Sequence, residues 1–344
     1  MQASSISKKA AEIAELKDVY GLVQTEFQAV NTLIPSQLTS DVELVEEIGH
    51  YIVESGGKRL RPLMVLLAAG SLGYQGSNQT KLAATIEFLH TATLLHDDVV
   101  DHSDLRRGRL TANERWGNAP SVLVGDFLYS RAFQLMVEIG SMPIMGVLSS
   151  ATNTIAEGEV MQLSNIGNLE INEQQYREVI RCKTALLFEA ATHTGALLAQ
   201  SQNTEIEGTK VHALRDFGCH FGMTYQLVDD WLDYAGSSET MGKNVGDDLA
   251  EGKLTLPLIY ALKHAPEKDA DAIRDAVSAK SNANLESIIE IVTRSGALAY
   301  THEAAVAQST KALTCLDQLR DGNEGNDYID ALQTLTNYST ARLF

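Results

Sequence analysis

Proline is scarce in this 344-residue chain and, over one long interval, missing: there are six, none between Pro143 and Pro257. A proline inside a helix removes a hydrogen bond and clashes with the preceding turn, so its absence leaves that interval open to long, unbroken helices. Alternating β-branched runs are scarce too, which argues against a sheet. Cysteine is nearly absent. Cys182, Cys219 and Cys315 have neither metal-ligand nor redox spacing, which excludes a disulfide framework and fits a reduced compartment. No apolar run approaches the roughly 18 residues of a membrane span, and MQASSISKKAAEIAEL lacks the apolar core of a signal peptide. The expectation is a soluble, cytoplasmic protein. Positive charge is in deficit: 27 Lys and Arg against 45 Asp and Glu leave a formal net charge of −18. That balance argues against a nucleic-acid surface.

What the chain does have is apolar residues, 44% of the total, enough for a sizeable core. The predicted class is all-α, one large helical bundle. No repeat of solenoid period and no long linker divides it, so residues 1–344 read as a single domain. Within it, 1–40 form an N-terminal helical segment, 41–263 a core, and 264–344 further helices. Helices are expected over 5–30, 41–55, 120–140, 144–165, 172–200 and 208–235, with Gly56 and Gly57 ending the second. Residues 103–111 read as a basic loop, and the Gly-rich, charged stretch 236–254 as a lid.

The chemistry concentrates first in the stretch Lys81 to Asp101, KLAATIEFLHTATLLHDDVVD. Leu82, Ile86, Leu89, Thr93 and Leu94 recur at helical spacing. Asp97, Asp98 and Asp101 crowd its C-terminal end, with Asp97 and Asp101 on one face and His90 two turns earlier on the same side. Carboxylates repel one another, and a helix C-terminus already favours cations. Three acids placed there call for a positive partner, either nearby arginines around a solvated helix end or a hard divalent cation with oxygen ligands. The second stretch tips that choice. Asp229, Asp230 and Asp233 in QLVDDWLDY repeat the D-D-x-x-D spacing at the end of another apolar helical run. Mg2+ prefers a few carboxylates plus substrate phosphates to an all-protein cage, so two such helix ends, facing each other across a bundle, imply a phosphate or diphosphate ligand. Basic clusters fit the same anion: Lys58, Arg59 and Arg61 in GGKRLRP, Arg106, Arg107 and Arg109 after the first motif, Lys243 and Lys253 after the second.

The stretches GGKRLRP (56–62), HTATLLHDDVVDHSDLRRG (90–108), KTALLFEA (183–190), YQLVDDWLDY (225–234) and GKNVGDDLAEGKLTLPL (242–258) together resemble the trans-isoprenyl diphosphate synthases. The resemblance implies an isoprenoid-synthase-type bundle with a central cavity. It also implies Mg2+, about three ions per site, and head-to-tail condensation of isopentenyl diphosphate onto an allylic diphosphate. It assigns metal binding to Asp97, Asp101 and Asp229, with Asp98, Asp230 and Asp233 in hydrogen-bonding roles. Arg106, Lys183 and Lys253 become contacts of the allylic diphosphate, with Lys243 beside the second metal cluster. Lys58, Arg61, His90 and Arg107 become contacts of isopentenyl diphosphate. Thr184 and Gln226 line the site near the developing cation. A homodimer is implied, as is proximity to a membrane through a long product destined for quinone side chains. The tail, STARLF, carries one arginine where many relatives carry more, so closure of the tail over the isopentenyl diphosphate is not expected.

Product length is read from the first helix. Short-chain relatives place an aromatic residue near the positions one turn before Asp97, where this chain has the small Ala92 and Thr93. Leu89 and Ile86 lie on the same path, and Met136 and Leu148 are candidate floors. The implied product is long. Two rivals fit less well. A terpene cyclase of the first class usually has a mixed second cluster, and a regulatory subunit would be expected to have lost ligands; here both acidic sets are complete. His90 alone would read as a core histidine, and Trp116, Trp231 and His96 read as packing residues.

Overall fold

The proline-poor sequence folds as helix in the computed structural model, which describes residues 16–235, 246–320 and 326–343. A helical segment over 16–22 turns at Val23 into α1 (Gln24–Ser36), followed by α2 (Glu43–Glu54), α3 (Leu60–Ser71) and α4 (Asn78–Val100). The basic loop contains a two-stranded antiparallel hairpin, β1 (Leu105–Arg106) with β2 (Arg109–Leu110). Then come α5 (Ala112–Trp116), α6 (Asn118–Ile139), α7 (Met142–Ser164) and α8 (Glu173–Ile180). The helix expected over 172–200 is not uniform: Arg181–Ala185 widens into a π-helical turn before α9 (Leu186–Gln202). α10 (Gly208–Ala235), the short α11 (Asp247–Ala250), α12 (Leu256–His264), α13 (Glu267–Ala279), α14 (Leu285–Arg294), α15 (Ala297–Asp317) and α16 (Asp327–Ala341) complete the described chain. The fold class is all-α.

The chain divides into two compact units. The first comprises residues 1–151, 187–218 and 312–338, the second 152–186, 219–311 and 339–344. In the first unit α4 is the central helix, packed most extensively against α6 and then against α3 and α1. It is buried nearly all round, through Leu82, Ala83, Ile86, Phe88, Leu89, Ala92 and Leu95, as an interior helix must be. Close approach is bought by small residues: a Cβ on Gly195 of α9 would come within 2.8 Å of the Val65 carbonyl oxygen of α3.

The second unit is built on Leu227, Val228 and Leu232 of α10, packed among Ile180, Leu256, Ile273, Ile288 and Ile291. The π turn lies against two glycines here. A Cβ on Gly222 would sit 2.5 Å from the Ala185 Cα, and one on Gly158 would sit 2.7 Å from the Cys182 Cβ. Side chains at either position would push the turn away, and it is this turn that carries Lys183 and Thr184. Among the described residues no helix is long and apolar enough to cross a membrane.

Candidate active site

In the first unit α4 ends where the sequence predicts, and its three acids divide by environment. Asp98 is sealed from solvent and grips Arg106 bidentately, with Oδ1 2.8 Å from Nε and 2.6 Å from Nη2. Burial works against the Arg106 charge, but Asp98, then Asp97 and Asp101, outweigh it and raise its pKa. Asp97 and Asp101 are only half-buried.

Four residues expected at the isopentenyl diphosphate lie on the loop before α3, the first turn of α3, α4 and the hairpin. Gly57, at φ +133°, leaves room for the Arg107 guanidinium, which a Cβ would meet at 2.7 Å. Arg59 and Arg107 themselves adopt left-handed backbone, φ 45° and 54°, a strain that folds tolerate at functional sites. Lys58 is exposed, its Nζ 2.9 Å from the Tyr338 hydroxyl and 4.6 Å from that ring's centroid. Arg61 lies 3.2 Å from His90 Nε2 and over the Phe188 ring at 4.1 Å. Burial, then Arg61, Arg107 and Arg106, hold the His90 pKa well below its usual value. At neutral pH the imidazole is therefore uncharged and offers an N–H rather than a charge.

Glu87, which sequence reasoning missed, sits one turn before His90. Burial raises its pKa while Arg59, Arg61 and Arg107 pull the other way. Its Oε1 lies 3.9 Å from Arg59 Nε. His96, read as structural, lies 3.2 Å from the Val122 carbonyl and 3.4 Å from Asp126.

In the second unit the acids of α10 divide in the same way. Asp233 accepts backbone N–H groups of Gly246, Asp247 and Asp248 at 3.1–3.3 Å, tying down the start of α11. Asp230 accepts from the Tyr176 hydroxyl and, at 2.7 Å, from Gln226 Nε2. Burial, then the charge of Asp248, raises the pKa of both Asp230 and Asp233. Asp229 is half-buried and lies 3.3 Å from Arg342 of α16's end, so the single tail arginine reaches the second acidic motif. Lys183 Nζ pairs with Glu159 at 2.7 Å, Thr184 Oγ1 donates to Gln226 Oε1 at 2.8 Å, and Lys253 pairs with Glu251 at 2.6 Å. Lys243 lies outside the described residues.

Glu159, Tyr176 and Arg342 had no local signal. Each meets its partner across 24, 54 or 113 residues.

Of the residues expected to set product length, Thr93 is half-buried, its hydroxyl on the His90 carbonyl at 2.8 Å. Ala92, Ile86, Leu89, Met136 and Leu148 are sealed, at 0–1% exposure.

Among the described residues no three acidic, histidine or cysteine side chains already converge as a metal cage. The donors nevertheless suit Mg2+, which keeps much of its water and takes one or two carboxylates plus phosphate oxygens. Asp97, Asp101 and Asp229 carry hard oxygen donors with accessible surface.

An all-helical chain with acidic helix ends and clustered arginines defines a helical enzyme of diphosphate chemistry. The profile of the polyprenyl synthetase family matches residues 42–293, and the chain belongs to that family. It is 47% identical over 307 residues to the octaprenyl diphosphate synthase of Escherichia coli (strain K12), covering 89% of this chain and 94% of that protein. It is 43% identical over 328 residues to the geranyl-diphosphate-specific all-trans-nonaprenyl-diphosphate synthase of Rhodobacter capsulatus, covering 95% and 98%. The crystal structure of a polyprenyl synthase from Caulobacter crescentus CB15, complexed with calcium and isoprenyl diphosphate, superposes with a TM-score of 0.89 at 42% identity, covering 95% of this chain and 97% of that one.

Proposed function

We propose that this protein makes octaprenyl diphosphate for quinone side chains by adding isopentenyl diphosphate repeatedly to an allylic diphosphate. The coarser statement does not depend on product length: the chain is a prenyltransferase of the long-chain trans-polyprenyl type. The observation that carries the reading is the difference in burial at the two acidic helix ends. Asp98, Asp230 and Asp233 are buried, while Asp97, Asp101 and Asp229 are half-buried and keep accessible surface.

In this reading Asp97, Asp101 and Asp229 hold Mg2+, about three ions, and Arg106, Lys183, Lys243 and Lys253 bind the allylic diphosphate. When bound, Mg2+ neutralises the charge that builds on the leaving diphosphate. Lys58, Arg61, Arg107 and neutral His90 bind isopentenyl diphosphate with side-chain donors alone. The allylic C–O bond breaks, the double bond of isopentenyl diphosphate attacks the cation, and a proton is lost, with the released diphosphate as its acceptor. Thr184 and Gln226 stand beside the cation and offer oxygen lone pairs too weakly nucleophilic to quench it.

The whole chain acts as one catalytic domain in the cytoplasm, near the membrane that takes up its product. It acts as a homodimer. Leu123, Phe133 and Val137 of α6, with Met142 beyond its end, are exposed apolar residues of the kind a second copy covers; light scattering reading the mass of a monomer would refute the dimer.

The test is turnover by the purified chain with isopentenyl diphosphate and an allylic starter, with products weighed by mass spectrometry. An eight-unit product is expected. A shorter or longer dominant product changes the assignment within the class, and no Mg2+-dependent turnover removes it.

Arg342 adds a second expectation. Its side chain and that of Asp229 are 25% and 31% exposed, so their pairing is solvent-screened and worth about 0.2–1 kcal/mol. A tethered cation on a metal ligand competes with the metal. Arg342→Ala should therefore lower the Mg2+ concentration for half-maximal turnover by up to about fivefold. A raised midpoint in a Mg2+ titration would contradict the competition.

A further inference from the structure

Tyr176 lies in α8, seven residues before Lys183 and 3% exposed. A capping box fixes the start of that helix: the Asn172 side chain accepts from the Gln175 N–H, and the Gln175 side chain from the Asn172 N–H. The residue belongs to the same buried apolar cluster as Ile171, Ile180, Met223 and Leu227. A hydroxyl in such a core needs a partner, and it has one. It donates to Asp230 Oδ2, while Asp230 Oδ1 accepts from Gln226 Nε2 at 2.7 Å and Gln226 Oε1 accepts from Thr184 Oγ1 at 2.8 Å.

The direction of these bonds matters more than their number. The Gln226 amide faces Asp230 with its NH2 group, Nε2 lying 2.7 Å from Oδ1. The carbonyl end is thereby turned to Thr184. A threonine hydroxyl has one proton, and here it points at that carbonyl. Every donor in the chain of bonds thus points inward to Asp230, and the outermost atom, Thr184 Oγ1, is left to present lone pairs.

We infer that Tyr176 is a positioning residue for prenyl transfer, holding Asp230 so that Gln226 and Thr184 present oxygen lone pairs rather than protons to the developing allylic cation. This deepens the function proposed above and rests on it. Without the tyrosine hydroxyl, Asp230 can turn, the amide loses its fixed sense, and the Thr184 proton is released to point at the cation. The effect falls on the step in which charge develops, not on binding of either diphosphate.

The experiment is a single-turnover measurement of one condensation, so that slow release of a long product does not mask the chemistry, together with steady-state Michaelis constants. Tyr176→Phe is expected to slow the single-turnover step about tenfold, with both Michaelis constants and the Mg2+ midpoint within about twofold of the parent. In a Gln226→Leu background the same change should have almost no further effect, because the residue through which Tyr176 acts is gone. A Tyr176→Phe variant with the parent rate overturns the inference, as do additive losses in the two backgrounds or a loss confined to the Michaelis constants. If Tyr176→Phe does not fold, the isosteric Gln226→Glu carries the test. It keeps an oxygen toward Thr184 but loses the N–H to Asp230, so a loss of at least about tenfold is expected and a parental rate overturns the inference. A parent chain that transfers no prenyl group would instead overturn the proposed function, and the two failures are read from different samples.

Discussion

Asp97→Ala and Asp229→Ala should each reduce turnover by about 1,000-fold or more and leave the protein folded. Both carboxylates are half-buried at helix ends. Removing one acid from an acidic cluster relieves repulsion, so little stability is lost. Asp229→Ala gives up a solvent-screened pairing with Arg342, which is worth little. Under the proposed assignment, each variant would lose a ligand to the Mg2+ that offsets charge on the departing diphosphate, an interaction strongest in the transition state. Asp98→Ala makes the contrast. Asp98 is sealed and holds the Arg106 fork, and losing these charge-assisted hydrogen bonds costs about 1.5–3 kcal/mol. That variant should lose thermal stability as well as activity. Turnover across a Mg2+ titration and a thermal melt of each variant decide the matter. Near-normal turnover by Asp97→Ala or Asp229→Ala at ordinary Mg2+ would count against the ligand assignment.

The same contrast marks what can be read from the sequence. Spacing of four along a helix puts Asp97 beside Asp101, and Asp229 beside Asp233, whatever the rest of the chain does. The all-helical class and the two acidic ends were accordingly legible. So was the GGKR loop, because consecutive glycines before cations announce backbone that other residues avoid. Which acid of each trio is spent on a protein partner was not legible from spacing, since Arg106 and Tyr176 reach Asp98 and Asp230 through tertiary packing. The π turn was hidden for a related reason. Nothing in RCKTA forbids an α-helix; the wider turn lies in a slot between Gly158 and Gly222, and neither glycine is adjacent in sequence. Tail and site were likewise separated: one arginine in STARLF suggested little, yet Arg342 lies beside Asp229.

Product length is where the structure most sharpens the expectation. If the allylic diphosphate sits at Asp97 and Asp101, its tail runs back along α4 toward Lys81. An isoprene unit takes up about one helical turn, ~5 Å, so the residues one turn back decide whether growth stops early. Both Ala92 and Thr93 are small, but they are not equivalent: Ala92 is fully sealed, whereas Thr93 retains exposed surface. Added volume at Thr93 therefore has open space to enter, while at Ala92 it meets packed neighbours. Thr93→Phe should stay folded and active and should stop elongation near three or four units, because the added ring blocks the path of the tail. Ala92→Phe should in addition lose roughly 1–3 kcal/mol through overpacking. Product masses and thermal melts of the two variants separate a blocked channel from a strained core. Eight-unit products from a stable, active Thr93→Phe would show that the tail takes another path.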